Sequence, residues 1–424
     1  MTLWRALKPK PDTRNPIPVC LAAVLLCAAA RAADEWPQFR GPTGQGHSDA
    51  KGVPLTWSEK ENVKWKTPIP GEGWSSPVIS GGQVWMTTAP PDGKSRHAIG
   101  VDLESGKILH DVEVFQVEAP QKKNAVNSHA SPSPVIEGNR LYVHFGSDGT
   151  ACLDTQTAKV LWQVRTFKLD HMEGAGGSPM LYKDKLIFCC DGTDVQYLVA
   201  LKKETGELAW KTDRSHKITN PPPMRKAFST PLVIQLDGQD QLIAPGAEYL
   251  YAYEPDTGKE LWFVHYPGFS NVPRPVHGCG LLFVGTGFMR PEVWAVKPGG
   301  QGDMTATNVV WKMKTQGPLV PTPVLVGERL YVVSDTGSLA CLEARTGKEI
   351  WRQNLGGEFS ASPLCVDGRI YYFDRAGLCT VIEPGDTFKV LAKNTLESGC
   401  MASAAVAGKA LIVRTKKALY RLEQ

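Results

Sequence analysis

A short phrase that recurs along most of the chain constrains the fold more than any other feature. A typical copy opens with Ser-Pro or Thr-Pro, continues through apolar segments separated by a turn, and ends with Thr-Gly and a nearby Trp. The clearest copies are Thr205-Gly206 with Trp210, Thr257-Gly258 with Trp262, and Thr346-Gly347 with Trp351. A unit of this size cannot bury its apolar faces alone, so the copies must stack on one another. The repeat therefore predicts an all-β propeller with four-stranded blades.

The number of blades follows from the openings, which recur every 40 to 57 residues. They are Ser76-Pro77, Ser133-Pro134, Ser178-Pro179, Thr230-Pro231, Arg274-Pro275, Thr322-Pro323, Ser362-Pro363 and, without the proline, Ser403-Ala404. Eight openings predict an eight-bladed β-propeller. After the last opening only two strands remain, whereas residues 62–67 form a predicted strand with no blade before it. We expect this N-terminal strand, which contains Trp65, to complete the last blade and close the ring, because open sheet edges promote aggregation.

The first 32 residues are typical of a secretory signal peptide. Basic residues precede an apolar stretch over residues 17–30, and Ala30-Arg31-Ala32 offers a cleavage site between small residues. The sequence thus predicts a signal peptide over 1–32 and a single propeller over 33–424. The apolar stretch is too short to favour a membrane span, so we expect none after cleavage. Cys27 follows Leu26, where lipidation requires a small residue, and we do not expect a lipid-anchored form.

Charge and cysteine content exclude several functional classes. The formal net charge of the whole chain is +4, and loss of the basic leader brings the remainder close to neutral. Nothing basic therefore indicates nucleic acid as a partner. The cysteines outside the leader mostly occupy apolar strand positions, such as Cys152 and Cys341, which is typical of buried thiols. Neither a CxxC pair nor a closely spaced histidine pair is present, so the sequence predicts no metal site.

The outer-strand phrase also carries a family resemblance. Residues 200–210 (ALKKETGELAW) and 252–262 (AYEPDTGKELW) resemble the tryptophan-docking repeat of the quinoprotein superfamily. Within that superfamily the chain is most similar to exported bacterial PQQ-like-repeat proteins related to the outer-membrane assembly lipoprotein BamB, and residues 36–42 (WPQFRGP) resemble the N-terminal segment of that group. The resemblance implies the propeller fold. It leaves the function open, because the same fold carries both dehydrogenases and binding scaffolds.

The resemblance also implies what a dehydrogenase of this superfamily requires. Such enzymes hold pyrroloquinoline quinone (PQQ) against a Trp and a disulfide between adjacent cysteines, beside calcium. Cys189 and Cys190 could form such a vicinal disulfide, or they could be two small apolar residues that end a strand. Glu173, Asp194 and Asn271 are the residues that could converge on calcium, but no calcium-loop motif and no haem-attachment motif is present. We expect no cofactor and no catalytic residue; PQQ and calcium belong to the alternative.

A binding protein of this fold would use the loops that lead into the innermost strands, because these gather at one mouth of the central channel. Aromatic, amide and imidazole side chains are frequent in those loops. The candidate ligand-binding residues are Trp74, Asn127, His129, His171, Glu173, Phe228, Asn271 and Phe359. Each of them could instead stabilise a strand end, which the sequence does not distinguish.

These observations favour an exported, non-catalytic binding or scaffold protein of the cell envelope, periplasmic or secreted. We expect a monomer that recognises an envelope protein or a small ligand through the loops at the channel mouth. One alternative is a PQQ-dependent dehydrogenase that oxidises alcohols or sugars. A second alternative is a carbohydrate-binding or carbohydrate-active propeller, although no carboxylate pair stands out in the sequence.

Overall fold

The computed structural model describes Met1, residues 35–218 and residues 220–424. The predicted signal peptide lies outside the described residues, apart from Met1. The described chain is almost entirely β-structure and forms eight sheets, which are the eight blades of a ring. The fold class predicted from the repeat is therefore confirmed.

Two strands precede the first blade, β1 (His47–Ser48) and β2 (Val63–Pro68). In each blade the strands follow one another from the innermost to the outermost. Blade 1 consists of β3 (Val78–Ser80), β4 (Gln83–Thr88), β5 (Ser95–Asp102) and β6 (Ile108–Gln116), and blade 2 of β7 (Val135–Glu137), β8 (Arg140–His144), β9 (Thr150–Asp154) and β10 (Val160–Val164). Blade 3 consists of β11 (Met180–Tyr182), β12 (Lys185–Asp191), β13 (Gln196–Lys202) and β14 (Leu208–Asp213), and blade 4 of β15 (Leu232–Leu236), β16 (Gln239–Pro245), β17 (Tyr249–Tyr253) and β18 (Glu260–His265).

Blades 5 to 8 follow the same order. Blade 5 consists of β19 (Val276–Gly278), β20 (Leu281–Gly285), β21 (Val293–Val296) and β23 (Val309–Met313), and blade 6 of β24 (Val324–Val326), β25 (Arg329–Val333), β26 (Ser338–Glu343) and β27 (Glu349–Asn354). Blade 7 consists of β28 (Leu364–Val366), β29 (Arg369–Phe373), β30 (Leu378–Glu383) and β31 (Lys389–Thr395), and blade 8 of β32 (Ala405–Ala407), β33 (Ala410–Arg414) and β34 (Ala418–Leu422). Between β21 and β23 the chain leaves blade 5 to form β22 (Gly302–Asp303), which pairs with β18, and the helical turn α1 (Thr305–Asn308).

The ring is closed by β2, as the sequence predicted. This strand pairs antiparallel with β34, with Trp65 opposite Arg421 and Lys66 opposite Tyr420, and so supplies the fourth strand of blade 8. The pairing satisfies an edge that would otherwise expose a row of free backbone groups.

Tryptophans of the outer strands join neighbouring blades. The indole N–H of Trp162 in blade 2 donates to the carbonyl of Lys203 in blade 3, at 3.0 Å, and its ring lies against Gly206. Equivalent bonds run from Trp65 to Leu103, from Trp210 to Pro255, from Trp311 to Ala344 and from Trp351 to Gly385. An outer-strand tryptophan thus links its blade to the next one at each of these junctions.

Trp262 is an exception among the outer-strand tryptophans. Its indole N–H donates to Gln241 of its own blade, and the ring is fully buried. The excursion of the chain between β21 and β23 separates the usual turn carbonyl from this ring, and β22 covers the outer strand instead. The ring still packs among apolar residues of both blade 4 and blade 5.

A segment that the repeat did not predict crosses the central channel. Residues 36–48, which we call the plug, pair with the innermost strands of several blades: Trp36 bridges Ile79 in blade 1, and β1 runs parallel to β28 in blade 7. The carbonyl of Pro37 accepts from the backbone of Ile136 in blade 2. The plug therefore closes the channel part of the way along its length.

No helix within the described part of the chain is long and apolar enough to cross a membrane.

Candidate functional site

One end of the channel, above the plug, holds a cavity of about 520 Å³, which we call the mouth cavity. It lies where the loops enter the innermost strands, because its lining includes the residues that open most of the blades. Its lining residues include aromatic, aliphatic and hydroxyl-bearing side chains and one ion pair: Phe39, Trp74, Ser76, Val126, Asn127, Ser133, Met172, Glu173, Ser178, Met224, Lys226, Phe228, Thr230, Phe269, Phe288, Leu319, Val320, Ser360, Ser362, Met401 and Ser403. This is the place where the sequence predicted a ligand site.

The walls of the mouth cavity are mainly apolar, and part of this surface is open to solvent. Val126, Met172 and Phe288 line the cavity and are 47%, 43% and 50% exposed. Met289, next to Phe288, is 66% exposed. Large apolar side chains left in water at the rim of a concave site are typical of a surface that is covered by a ligand or partner. Methionine side chains also adapt to ligands of different shape.

In the described part of the chain two charged side chains line the mouth cavity, and they face each other. The Lys226 ammonium lies 3.8 Å from a carboxylate oxygen of Glu173 and donates to the Pro223 carbonyl at 2.6 Å. The same ammonium lies over the ring of Phe269, 5.5 Å from its centroid. Burial lowers the pKa of Lys226, while Glu173 opposes this shift. The pair leaves little net charge on the wall.

A ring of hydroxyl groups from the blade openings surrounds the channel, and all of its members except Thr322 line the floor of the mouth cavity. Each hydroxyl oxygen accepts the backbone N–H of an opening residue in the neighbouring blade, for example Ser133 from Ser76 at 2.8 Å and Ser178 from Ser133 at 2.9 Å. The members of this hydroxyl ring are Ser76, Ser133, Ser178, Thr230, Thr322, Ser362 and Ser403. The recurring Ser-Pro and Thr-Pro openings of the sequence thus link the blades around the channel.

Arg274 takes the place of a hydroxyl residue at the fifth opening, and it holds the plug. Its guanidinium donates to the carbonyl of Phe39 at 2.9 Å and to the side-chain oxygen of Gln38 at 3.3 Å. Arg40 of the plug donates in turn to the carbonyls of Pro323 and Pro363, at 2.9 and 3.3 Å. These contacts hold the plug in place, and its residue Phe39 lines the mouth cavity.

Four of the eight predicted ligand-binding residues line the mouth cavity: Trp74, Asn127, Glu173 and Phe228. The amide of Asn127 is already bonded to the carbonyls of Glu173 and Ala175, at 2.7 and 3.2 Å, so it also fixes the loop. The other four predicted residues do not line the cavity, for reasons that differ from one to the next.

His129 and His171 do not line the mouth cavity and contact neighbouring loops instead. The imidazole of His129 contacts the guanidinium of Arg96 at 3.4 Å, and burial together with Arg96 lowers its pKa. His171 accepts the backbone N–H of Ser147 at 2.9 Å, and burial lowers its pKa to about 4. Both rings therefore fix neighbouring loops, the alternative that the sequence left open.

Asn271 and Phe359 are buried in the framework. The amide of Asn271 donates to the Tyr266 hydroxyl and to the Gly285 carbonyl, both at 2.9 Å, beneath the loop that carries Phe269. Phe359 is 2% exposed in the apolar cluster between blades 6 and 7. Position in a loop at the mouth does not determine which way a side chain points, and these two point into the protein.

Several lining residues were missed by the sequence analysis, among them Phe39, Phe288, Leu319, Val320 and Met401. Phe288 and Met289 form an apolar pair within a stretch rich in glycine and proline, which is a signal that could have been recognised. Phe39 belongs to the plug, whose position depends on contacts with distant blades.

The adjacent cysteines lie in a regular strand. Cys189 and Cys190 are free thiols in β12, opposite Leu198 and Tyr197. Successive residues of a strand point to opposite faces, so the two sulfur atoms lie on different sides of the sheet. Neither lines the mouth cavity. Burial raises the pKa of Cys189 to about 12.

The residues considered for calcium make separate contacts. The Asp194 carboxylate accepts from the backbone of Asp170 and Val195, Asn271 is bonded as described, and Glu173 faces Lys226. Within residues 35–218 and 220–424, no group of three or more His, Cys, Asp or Glu side chains is placed to hold a metal ion.

The lining of the mouth cavity does not match PQQ, a planar quinone that carries several carboxylates. Such a ligand needs cations and donors around its edge. Lys226 is the lining cation among the described residues, and it is paired with Glu173. A stacking surface of two joined sulfur atoms is likewise absent there, since Cys189 and Cys190 are free thiols outside the cavity.

Eight four-stranded blades, docked outer-strand tryptophans and a closing N-terminal strand together define a PQQ-like-repeat β-propeller. The family model described as "Outer membrane protein assembly factor BamB" matches residues 55–168, 116–268 and 292–417, more than half of the chain. The chain belongs to this BamB family.

Curated relatives fall into two groups. Outer membrane protein assembly factor BamB of Shewanella oneidensis is 26% identical over 202 residues, 43% of this chain and 47% of the relative. Quinohemoprotein alcohol dehydrogenase ADH IIB of Pseudomonas putida is 24% identical over 392 residues, 82% of this chain and 54% of the relative. The chain spans about half the length of each of these two relatives.

Solved structures show the same fold. BamB from Moraxella catarrhalis superimposes with a TM-score of 0.57 at 11% identity, over 85% of this chain and 99% of that one. A europium-containing methanol dehydrogenase superimposes with a TM-score of 0.68 at 12% identity, over 93% and 92% of the two chains. Because both identities are low, these similarities concern the fold and not the activity.

Proposed function

We propose that this protein is a non-catalytic binding propeller of the cell envelope, and that the mouth cavity receives an apolar segment of a partner protein or an apolar small ligand. The observation that carries the proposal is the exposed apolar rim, with Val126, Met172 and Phe288 around a cavity of about 520 Å³. Burying this surface would supply roughly 25 cal/mol for each Å² removed from water.

Membership of the BamB family supports an envelope location, because members of that family are described as assembly factors of outer membrane proteins. The N-terminal sequence supports export, with a basic stretch followed by an apolar one. A soluble, monomeric protein in the periplasm or outside the cell is the form in which the mouth cavity would meet its partner.

The dehydrogenase alternative is supported by the similarity to alcohol dehydrogenases and weakened by the lining of the mouth cavity. It predicts stoichiometric binding of PQQ in the presence of calcium, which our proposal does not. The carbohydrate alternative also stays a prediction, to be tested by titration with oligosaccharides.

The first test of the proposal uses an uncharged, fluorescent apolar probe, N-phenyl-1-naphthylamine, titrated into the full protein. We expect saturable binding. We expect Phe288→Ser to weaken it about threefold to tenfold, because the probe can no longer cover the half of the Phe288 side chain that is exposed to solvent. The matched control is Val310→Ser, at a residue that is 51% exposed on the outer strand β23 of the same blade. Absence of binding, or an equal effect of both variants, would contradict the proposal.

A further inference from the structure

The hydroxyl ring has unused hydrogen-bonding capacity, and six of its seven members, all except Thr322, line the mouth cavity. Each of its seven oxygens accepts one backbone N–H, and none of the seven O–H groups donates to an acceptor among the described residues. Every member is more than nine-tenths buried, from 1% exposed at Thr322 to 6% at Ser403. Buried donors without acceptors are costly, so a ring of them favours a ligand with acceptor atoms.

Three buried arginines surround this ring without a carboxylate partner in the described part of the chain. Arg40 and Arg274 lie beneath it, where their guanidinium groups are bonded to backbone carbonyls and to Gln38. Arg414 donates to the Ser75 hydroxyl at 2.7 Å and to the Thr87 carbonyl at 2.9 Å, next to the Ser76 member of the ring. Burial lowers the pKa of Arg40 to about 9, of Arg274 to about 10 and of Arg414 to about 9.

The arginines remain cationic at neutral pH, since even these lowered pKa values exceed 7. A buried charge without a counter-ion is costly, and its field is weakly screened in a low-dielectric interior. The floor of the mouth cavity is therefore positive and rich in donors, whereas its walls are apolar and nearly neutral.

We propose that the ligand of the mouth cavity is an amphiphile with a single carboxylate, whose carboxylate is bound by the hydroxyl ring and whose apolar body lies against Phe228, Phe288 and Met401. This inference rests on the proposed function and specifies the ligand class of the same site. Two sources share this chemistry, a fatty acid and the free C-terminus of an apolar peptide.

The arrangement suits a monoanion better than a phosphate. Among the described residues no arginine lines the cavity, and the lining lysine, Lys226, is paired with Glu173. Phosphate sites present arginine or several backbone N–H groups to the ligand itself. Neutral hydroxyl groups with cations farther away attract an anion less strongly than such phosphate sites do. This weaker attraction suits the single, delocalised charge of a carboxylate.

The test compares acids with uncharged analogues in calorimetric titrations of the full protein. One pair is octanoate and octanol; the other is N-acetylphenylalanyl-phenylalanine and its C-terminal amide. We expect each acid to bind about tenfold more tightly than its analogue, the effect of one charge-assisted hydrogen bond. The tighter of the two acids identifies the source. Equal affinities within both pairs would overturn the inference and leave the proposed function intact, whereas absence of binding by all four would overturn both.

A variant locates the carboxylate. Ser178→Ala removes one O–H of the ring, and we expect it to weaken octanoate binding about threefold or more without affecting octanol. The control is Ser360→Ala, which removes a hydroxyl that lines the cavity outside the ring. Equal weakening of octanoate by both variants, or equal weakening of octanoate and octanol by Ser178→Ala, would overturn the inference. Should Ser178→Ala fail to fold, the acid and analogue comparison in the unmodified protein decides.

Discussion

His144 is an enclosed imidazole between blades 2 and 3. It is 4% exposed, its ring lies 4.4 Å from that of Phe188, and its Nδ1 bonds to the Thr150 hydroxyl at 2.8 Å. Burial lowers its pKa to about 3, with a smaller contribution from His171. An imidazole in this position stabilises the fold only while it is neutral.

We therefore expect the stability of the protein to fall as the pH is lowered from 6.5 to 5. The unfolded chain binds a proton at His144 in this range and the folded chain does not, which corresponds to roughly 2 kcal/mol for this residue. The measurement is the free energy of unfolding in urea at several pH values. His144→Gln should reduce the slope; other histidines whose pKa is lowered by burial, such as the half-buried His277, account for what remains. An unchanged slope in His144→Gln would contradict this explanation.

The sequence predicts chemistry at single residues less well than it predicts the fold. Trp74, Asn127, Glu173 and Phe228 line the mouth cavity, but His129 and Asn271 sit in equally suitable loops and point elsewhere. The direction of a loop side chain depends on partners far away in the sequence. For His129 that partner is Arg96, a residue of another blade.

The junction between neighbouring blades depends on a glycine as much as on a tryptophan. Gly206 has a φ of +75°, and a Cβ atom added there would lie 2.7 Å from the Trp162 ring. The recurring Thr-Gly phrase therefore combines a left-handed turn with room for the indole of the preceding blade.

We expect Gly206→Ala to destabilise the protein more than Gly280→Ala does. Gly280 has a similar φ of +77° but nothing within 4 Å of an added Cβ atom, so its substitution measures only the backbone strain, about 1–2 kcal/mol. The clash with Trp162 should add about 1–3 kcal/mol. Thermal or urea unfolding of the two variants measures the difference, and equal losses would show that the indole adjusts without cost.

Strands, turns and blade junctions were predictable because they repeat. Each copy of the phrase specifies the same local backbone geometry. Even Ala158, which stands where the Thr-Gly copies have glycine, keeps a positive φ of 58°. The excursion through β22 and α1 was not predictable, since residues 297–308 have no counterpart in the other repeats and displace the docking site of Trp262.

At the scale of the whole molecule, the N-terminal region has two separable roles. The plug contributes Phe39 to the lining of the mouth cavity, whereas β2 completes blade 8. The closing strand was expected from its Trp65 and from the missing strand of the last blade. The plug was not, because its partners are backbone groups and the Arg274 side chain, spread over five blades.

Two truncations separate these roles. A chain that begins at Trp57 keeps β2 and should remain monodisperse, but we expect it to lose binding of the apolar probe because Phe39 is gone. A chain that begins at Pro70 also lacks β2, and the free edge of β34 should cause aggregation. Size-exclusion chromatography and probe titration distinguish the two. A soluble, monodisperse chain from Pro70 onward would contradict the closing role of β2.

The plug also imposes an order on the maturation of the protein. Arg40 leaves the ribosome early, but Pro363, whose carbonyl it contacts, is 323 positions later in the chain. Met401 and Ser403, which line the mouth cavity, follow later still. Pairings between such distant segments form slowly. A nascent or prematurely terminated chain of seven blades therefore contains the plug and the partners of Arg40 and Arg274 but lacks Met401 and Ser403, so its mouth cavity is incomplete until the last blade is made.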